Sequence, residues 1–160
     1  MTLVKIAIVG IGNPILSDDA VGLIAAERLF ETISKSLDCS LIIHSEDMMS
    51  LIERLSVYDF AFIIDSFRDV EHVGEVFEVK LDEAKLSRFV SPHTLSFANM
   101  LSLYKASNIK LPKITLCGIA VKDVDTFKEE LSDEIKIKLP TSVESLRRFF
   151  LGELKKMVNK

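Results

Sequence analysis

The feature that most constrains the fold lies near the start of the chain, where a strand, a turn and a helix follow one another. The apolar run at 3–9 is typical of a strand that is buried on both faces. Gly10 and Gly12 allow a tight turn, and Ser17 and Asp18 are suitable N-cap residues for the next helix. In that helix, apolar residues recur at helical spacing at Val21, Ile24, Ala25 and Leu29. This order indicates an open α/β sheet, in which ligands bind at the carboxyl ends of the strands.

Two consecutive acids, Asp18 and Asp19, lie in this turn. Their negative charge disfavours a phosphate and favours a cation. The dinucleotide-binding fingerprint needs a third glycine where this chain has Ile15, although Glu46, after the second predicted strand, is suitable for contacting a ribose. A structural role, in which the acids only complement the helix dipole, is the other alternative.

Strand and helix patterns alternate along the rest of the chain. The predicted strands are 40–44, 59–65, 74–81 and 113–120, and the predicted helices are 48–57, 94–107 and 142–158. Segment 74–81 alternates apolar and polar residues, which is typical of an edge or antiparallel strand. Pro140 precedes the last predicted helix. The sequence therefore predicts one domain, residues 1–160, with a three-layer α/β fold. Its sheet is mostly parallel and twisted, with about five strands, one of them an edge or antiparallel strand, and helices on both faces.

Composition excludes some classes of partner. The net charge of −4 disfavours a nucleic-acid surface, which needs a basic stripe. No apolar run approaches the ~20 residues of a membrane span, and no signal-peptide pattern is present. Cys39 and Cys117 have no metal-ligand or CxxC spacing, and Cys117 lies in an apolar run that predicts burial. A cytoplasmic location is therefore expected.

Three acids are predicted at the carboxyl ends of strands or in the turns that follow: Asp19, Glu46 and Asp65. A carboxylate that closes an apolar run, as Asp65 does, is costly to bury unless it is paired, hydrogen-bonded or bound to a metal. The structural alternative is that Asp65 is a cap or turn residue before Ser66, neutralised by Arg68.

A loop with the sequence Ser-Pro-His-Thr leads into the third predicted helix. Thr94 is a suitable cap for this helix, and Pro92 restricts the direction in which His93 points. Two carboxylates and one imidazole, from Asp19, Asp65 and His93, would then meet at one rim of the sheet. Such oxygen and nitrogen donors suit Zn²⁺ or Ni²⁺ and leave coordination positions open for a substrate.

Several segments, in order, resemble the motifs of the hydrogenase maturation endopeptidases. They are GIGNPILSDDAVG at 10–22, FIID at 62–65, SPHTL at 91–95, LCGI at 116–119 and LPTSV at 139–143, the last of which opens the final predicted helix. These proteases remove a C-terminal tail from the large-subunit precursor of nickel–iron hydrogenase. The resemblance implies that Asp19, Asp65 and His93 form the catalytic centre and bind the nickel already inserted in that precursor, so that only loaded precursor is cut.

The resemblance further implies a metal-dependent or aspartyl-type endopeptidase that is a monomer or weak oligomer, with the precursor as its partner. Cadmium or zinc is expected to substitute for nickel. The chain departs from the family where many members have a glycine-rich loop, because it has Glu46 and Asp47 there, and either acid is a candidate additional carboxylate. A non-catalytic metal-sensing domain and a nucleotide-binding domain are the alternatives to the protease.

Overall fold

The fold is described from a computed structural model of the chain. The structure describes residues 3–45, 47–81 and 91–159, so predictions that concern Glu46 lie outside the described residues. The elements in chain order are β1 (Ile6–Ile11), a 3₁₀ turn (Ser17–Ala20), α1 (Val21–Ile33), β2 (Ser40–His44), α2 (Met48–Leu55), β3 (Phe60–Arg68), β4 (Val76–Val79), α3 (Pro92–Ala106), β5 (Lys113–Val121) and α4 (Asp133–Val158).

The five strands form one sheet in the order β2-β1-β3-β5-β4. Strands β2, β1, β3 and β5 are parallel to one another, whereas β4 pairs antiparallel with β5 at one edge. The predicted fold class is therefore confirmed, including the edge strand. The limits of β4 are narrower than the predicted 74–81.

Both faces of the sheet are covered by helices. On one face, α1 and α4 contact each other and pack on the outward side chains of β1, β3 and β5, among them Ile8 and Phe62. On the other face, α2 and α3 pack on alternate residues of the same strands, among them Val9 and Ile63. Strands buried on both faces are near-continuously apolar, which explains the unbroken runs in the sequence.

The strand order places a crevice between β1 and β3. The chain leaves β1 through α1 toward β2 on one side, and it leaves β2 through α2 toward β3 on the other side. At such a topological switch point the connections diverge, and ligands bind outside the carboxyl ends of the two strands. Asp19, which follows β1, and Asp65, in β3, are both close to this point because Gly10 pairs with Ile64.

The last helix begins earlier than the sequence predicts. It begins at Asp133, after Ser132, whose side chain accepts a hydrogen bond from the backbone of Ile135, and Pro140 lies inside it. The prediction that LPTSV opens this helix was therefore wrong. One buried stripe runs through the helix on both sides of the proline, and its packing offsets the lost backbone hydrogen bond. That stripe is Ile135, Leu139, Ser142, Leu146 and Phe150.

Two further boundaries differ from the prediction for local reasons. The predicted cap of α1 by Ser17 and Asp18 is wrong, because these residues form the 3₁₀ turn and α1 has no side-chain cap. Strand β3 does not end at Asp65 but continues to Arg68, because it remains paired with β5 up to that residue.

Gly22 allows α1 to approach the sheet closely. A Cβ atom at this position would lie 2.4 Å from the carbonyl oxygen of Ile11 and 2.6 Å from that of Ile64. Because both atoms belong to strand backbones, we expect Gly22→Ala to destabilise the fold by about 3 kcal/mol, measured by denaturant unfolding. Gly152→Ala in α4 is the control: nothing lies within 4 Å of its added Cβ, so helix propensity should stabilise this variant by ~0.5–1 kcal/mol. Equal stability of Gly22→Ala and wild type would contradict this packing.

Candidate active site at the carboxyl edge of the sheet

Asp19 lies in the 3₁₀ turn after β1 and is 5% exposed. Its Oδ2 accepts a hydrogen bond from the backbone N–H of Asn13 at 3.0 Å, and its Oδ1 accepts one from the hydroxyl of Ser66 at 2.7 Å. Gly12 makes this turn possible, because a Cβ there would lie 2.3 Å from the carbonyl oxygen of Asp19. The carboxylate is therefore held in one orientation by the turn and by β3.

Asp65 lies inside β3 and is 1% exposed. Its Oδ2 accepts hydrogen bonds from the hydroxyl of Ser91 and, at 2.7 Å, from the hydroxyl of Thr94. Its Oδ1 accepts the backbone N–H of Ser66 at 2.7 Å. The carboxylate is thus buried and hydrogen-bonded on both oxygens.

The start of α3 brings His93 to Asp19. Ser91 caps this helix by accepting the backbone N–H of Thr94, and Pro92 occupies its first turn. The predicted cap, Thr94, instead directs its hydroxyl to Asp65, so that prediction was wrong. His93 Nε2 lies 3.1 Å from Oδ2 of Asp19. Residues far apart in sequence therefore form one acid–imidazole pair.

The electrostatics of the two acids differ. For Asp19, burial raises the pKa, but the hydrogen bonds from His93 and Ser66 outweigh it and the net pKa is below its ordinary value. The hydrogen bond to Asp19 raises the pKa of His93 against the opposing effect of burial. For Asp65, burial dominates and raises the pKa to about 6, despite the hydroxyl groups of Ser91 and Thr94. The site therefore combines an ion pair between Asp19 and His93 with the neighbouring carboxylate of Asp65, whose ionised form is destabilised by burial.

A cavity of about 480 Å³ opens in front of the Asp19–His93 pair. Its lining residues are Asn13, Leu16, Asp19, Ser66, Arg68, Ser91, Pro92, His93, Val124 and Asp125. Asp65 is behind this lining and is connected to Asp19 through Ser66, which donates its N–H to one acid and its hydroxyl to the other. Sequence reasoning missed Ser66, and its only signal was a polar residue next to Asp65 in a buried strand.

The structure brings Asp19 and His93 into contact and Asp65 next to them. Within residues 3–45, 47–81 and 91–159, no group of three or more histidine, cysteine or acidic side chains is already arranged to hold a metal ion. The role of Asp19, Asp65 and His93 as metal ligands stays a prediction.

Other histidine, acidic, arginine and cysteine side chains that could have contributed to the site have structural roles or are buried elsewhere. His44 bonds through Nε2 to the carbonyl oxygen of Asp47, and the carboxylate of Asp47 caps α2. His72 pairs with Asp69 on the surface. Arg68 lies 3.3 Å from Asp125, so the alternative in which Arg68 neutralises Asp65 is not observed. Cys117 is buried in β5, and this burial raises the pKa of its thiol.

Asp18 has a structural role beside the site. Its carboxylate is fully buried and accepts hydrogen bonds from the backbone N–H and the hydroxyl of Ser132 at 2.7 and 2.9 Å. Its own N–H donates to the carbonyl oxygen of Asp123 at 2.9 Å. Asp18 therefore attaches the loop between β5 and α4, residues 123–132, to the turn that carries Asp19.

Fold and site together define an α/β protein with a candidate hydrolytic centre at the switch point of its sheet. The family model described as hydrogenase maturation protease (HycI) matches residues 42–148. The chain belongs to this family. No curated protein sequence matches the chain.

Solved structures agree with this membership. The [NiFe] hydrogenase maturation protease HybD from Thermococcus kodakarensis is 26% identical, with a TM-score of 0.70 over 91% of this chain and 98% of that chain. A [NiFe] hydrogenase maturation protease HycI from Thermococcus kodakarensis KOD1 is 27% identical, with a TM-score of 0.69 over 90% of each chain. The E. coli maturating endopeptidase HybD, 20% identical over 97% of this chain and 94% of that chain, shares the fold with a TM-score of 0.66.

The predicted family and enzyme class are thereby confirmed: the protein is an endopeptidase of hydrogenase maturation. This result favours the protease over the metal-sensing and nucleotide-binding alternatives. Among the described residues, the structure contains no helix that is both long and apolar enough to cross a membrane.

Proposed function

We propose that this endopeptidase removes the C-terminal tail of a nickel-loaded hydrogenase large-subunit precursor and recognises the nickel of that precursor through Asp19, Asp65 and His93. The observation that carries the proposal is the 3.1 Å contact between His93 Nε2 and Asp19 Oδ2 at a cavity. Two donors bound to one ion at ~2.0–2.2 Å lie about 3 Å apart, so this pair is spaced like two ligands of a single metal.

The charges also support a divalent cation as the recognised group. Asp65 is a buried carboxylate whose pKa is raised by desolvation to about 6. A cation nearby stabilises the ionised form and offsets this cost. Two carboxylates and an imidazole form a donor set for a borderline ion such as Ni²⁺, and substrate groups would complete its coordination.

The hydrogen bonds of the site favour water over a serine side chain as the nucleophile. The hydroxyl groups of Ser66 and Ser91 both donate to carboxylates, and His93 contacts Asp19 instead of a hydroxyl. In this proposal, an acid of the site or the substrate's metal activates a water molecule to attack the peptide bond. The cytoplasmic location and the monomeric or weakly oligomeric state stay predictions.

A comparison of loaded and unloaded precursor tests the proposal. We expect the purified enzyme to shorten nickel-loaded precursor and to leave nickel-free precursor intact, because the metal supplies the attraction to the site. Electrophoresis measures the shortening, and mass spectrometry identifies the new C-terminus. Equal cleavage of both precursors would contradict nickel recognition, and cleavage of neither would contradict the proposed substrate.

A further inference from the structure

A large aromatic side chain is exposed next to the candidate active site. Phe127, in the 123–132 loop, is 81% exposed. The loop that carries it is attached to the turn after β1 by backbone hydrogen bonds. Lys128 donates its N–H to the carbonyl oxygen of Ile15 at 3.0 Å, and its own carbonyl oxygen accepts the N–H of Ser17 at 2.8 Å.

The buried carboxylate of Asp18 strengthens this attachment through its two hydrogen bonds from Ser132. The loop is therefore held at both ends and at its centre, where Leu16 and Lys128 form a β-bridge. Because the backbone is held in this way, the loop is already ordered around the exposed Phe127. Binding of a ligand to Phe127 therefore costs little backbone entropy.

The 123–132 loop borders the cavity. Val124 and Asp125 of the same loop line it, as does Leu16, the bridge partner of the residue after Phe127. Ile15, which precedes Leu16 in the turn after β1, is also exposed, with an exposed fraction of 43%. Ile15 and Phe127 each precede a residue of this bridge, so two exposed apolar side chains lie on segments that border the cavity.

We propose that Ile15 and Phe127 form the docking surface for the precursor polypeptide next to the bond that is cleaved, and that they contact an apolar side chain of that polypeptide. The proposal rests on the endopeptidase function and adds the surface that binds its protein substrate. A few residues commonly supply most of the binding energy of a protein interface, and aromatic side chains are enriched at such interfaces.

The test is the steady-state kinetics of precursor processing by Phe127→Ser. We expect KM to rise about tenfold, which corresponds to ~1.4 kcal/mol of lost binding, while kcat stays within about twofold of wild type. Phe127→Leu retains an apolar side chain and should recover most of the wild-type KM. Because Phe127 is exposed, we expect the thermal stability of both variants to match wild type.

Ile137→Ser is the matched control. Ile137 is 79% exposed on α4, outside the 123–132 loop, so this variant should process precursor with wild-type KM. An unchanged KM for Phe127→Ser, or an equal rise for Ile137→Ser, would overturn the docking surface. If Phe127→Ser converted a wild-type dimer to a monomer in light scattering and left KM unchanged, the surface would bind a second copy of the chain and the proposal would be wrong. Absence of processing by wild type would instead contradict the proposed function.

Discussion

His93→Ala is expected to reduce the processing of nickel-loaded precursor by at least about a thousandfold. Among the described residues, His93 is the only histidine that lines the cavity, and the substitution removes its imidazole together with the contact to Asp19. Asp19 keeps its hydrogen bonds from Asn13 and Ser66. The protein should therefore remain folded, with a loss of stability of at most about 2 kcal/mol. A time course of tail removal measures the activity, and thermal unfolding measures the stability.

His72→Ala is the matched control for this prediction. His72 also pairs with a carboxylate, that of Asp69 at 2.7 Å, but it lies on the surface and is not among the residues that line the cavity. This variant should process precursor at the wild-type rate. Wild-type processing by a folded His93→Ala protein would contradict the assignment of His93 to the centre.

Asp65→Asn is expected to abolish processing and to stabilise the free protein at neutral pH. The pKa of Asp65 is raised by burial to about 6, above its ordinary value of 3.8. Between these two pH values the folded state binds more protons than the unfolded state, so the free energy of unfolding falls as pH rises. At pH 7 the ionisation of Asp65 has lowered the free energy of unfolding by about 3 kcal/mol. Asparagine has nearly the same shape and no charge, so its variant avoids this loss.

The measurement is the difference in unfolding free energy between Asp65→Asn and wild type as a function of pH. This difference should be small near pH 3.5 and should increase in favour of the variant up to about pH 7. Subtracting wild type removes the contributions of the other titrating groups. A variant that is both more stable and inactive would show that the charge of Asp65 is kept for function at a cost to the fold. Loss of stability across the whole pH range, or normal processing, would contradict this role.

The sequence was sufficient to predict the order of strands and helices because burial leaves a direct pattern in the chain. β1, β3 and β5 are covered on both faces and are therefore mostly apolar, whereas segment 74–81, which contains the edge strand β4, mixes apolar and polar residues. The boundaries were less accurate where tertiary packing decided them. The α4 helix contains Pro140 because burial of its stripe on both sides of the proline outweighs the tendency of proline to end a helix.

The candidate site shows the same division. The residue types and the family motifs together pointed to Asp19, Asp65 and His93 as candidates, because a carboxylate that closes an apolar run is costly to bury and all three residues lie in segments that resemble the family. Only the tertiary structure brought these residues together: the pairing of β1 with β3 places Asp19 near Asp65. The hydrogen bonds of Ser91 and Thr94 to Asp65 then hold the start of α3, so that His93 contacts Asp19.

The amino-acid sequence by itself determined the α/β class and the residue types available to the candidate site, because hydrophobic periodicity and side-chain chemistry are local properties. The tertiary structure alone decided that Ser66 connects the two acids, that Asp18 is structural although it adjoins Asp19, and that Asp65 lies behind the cavity. These roles depend on which distant groups meet in space and on how much water surrounds each carboxylate, and the linear order of residues contains neither quantity.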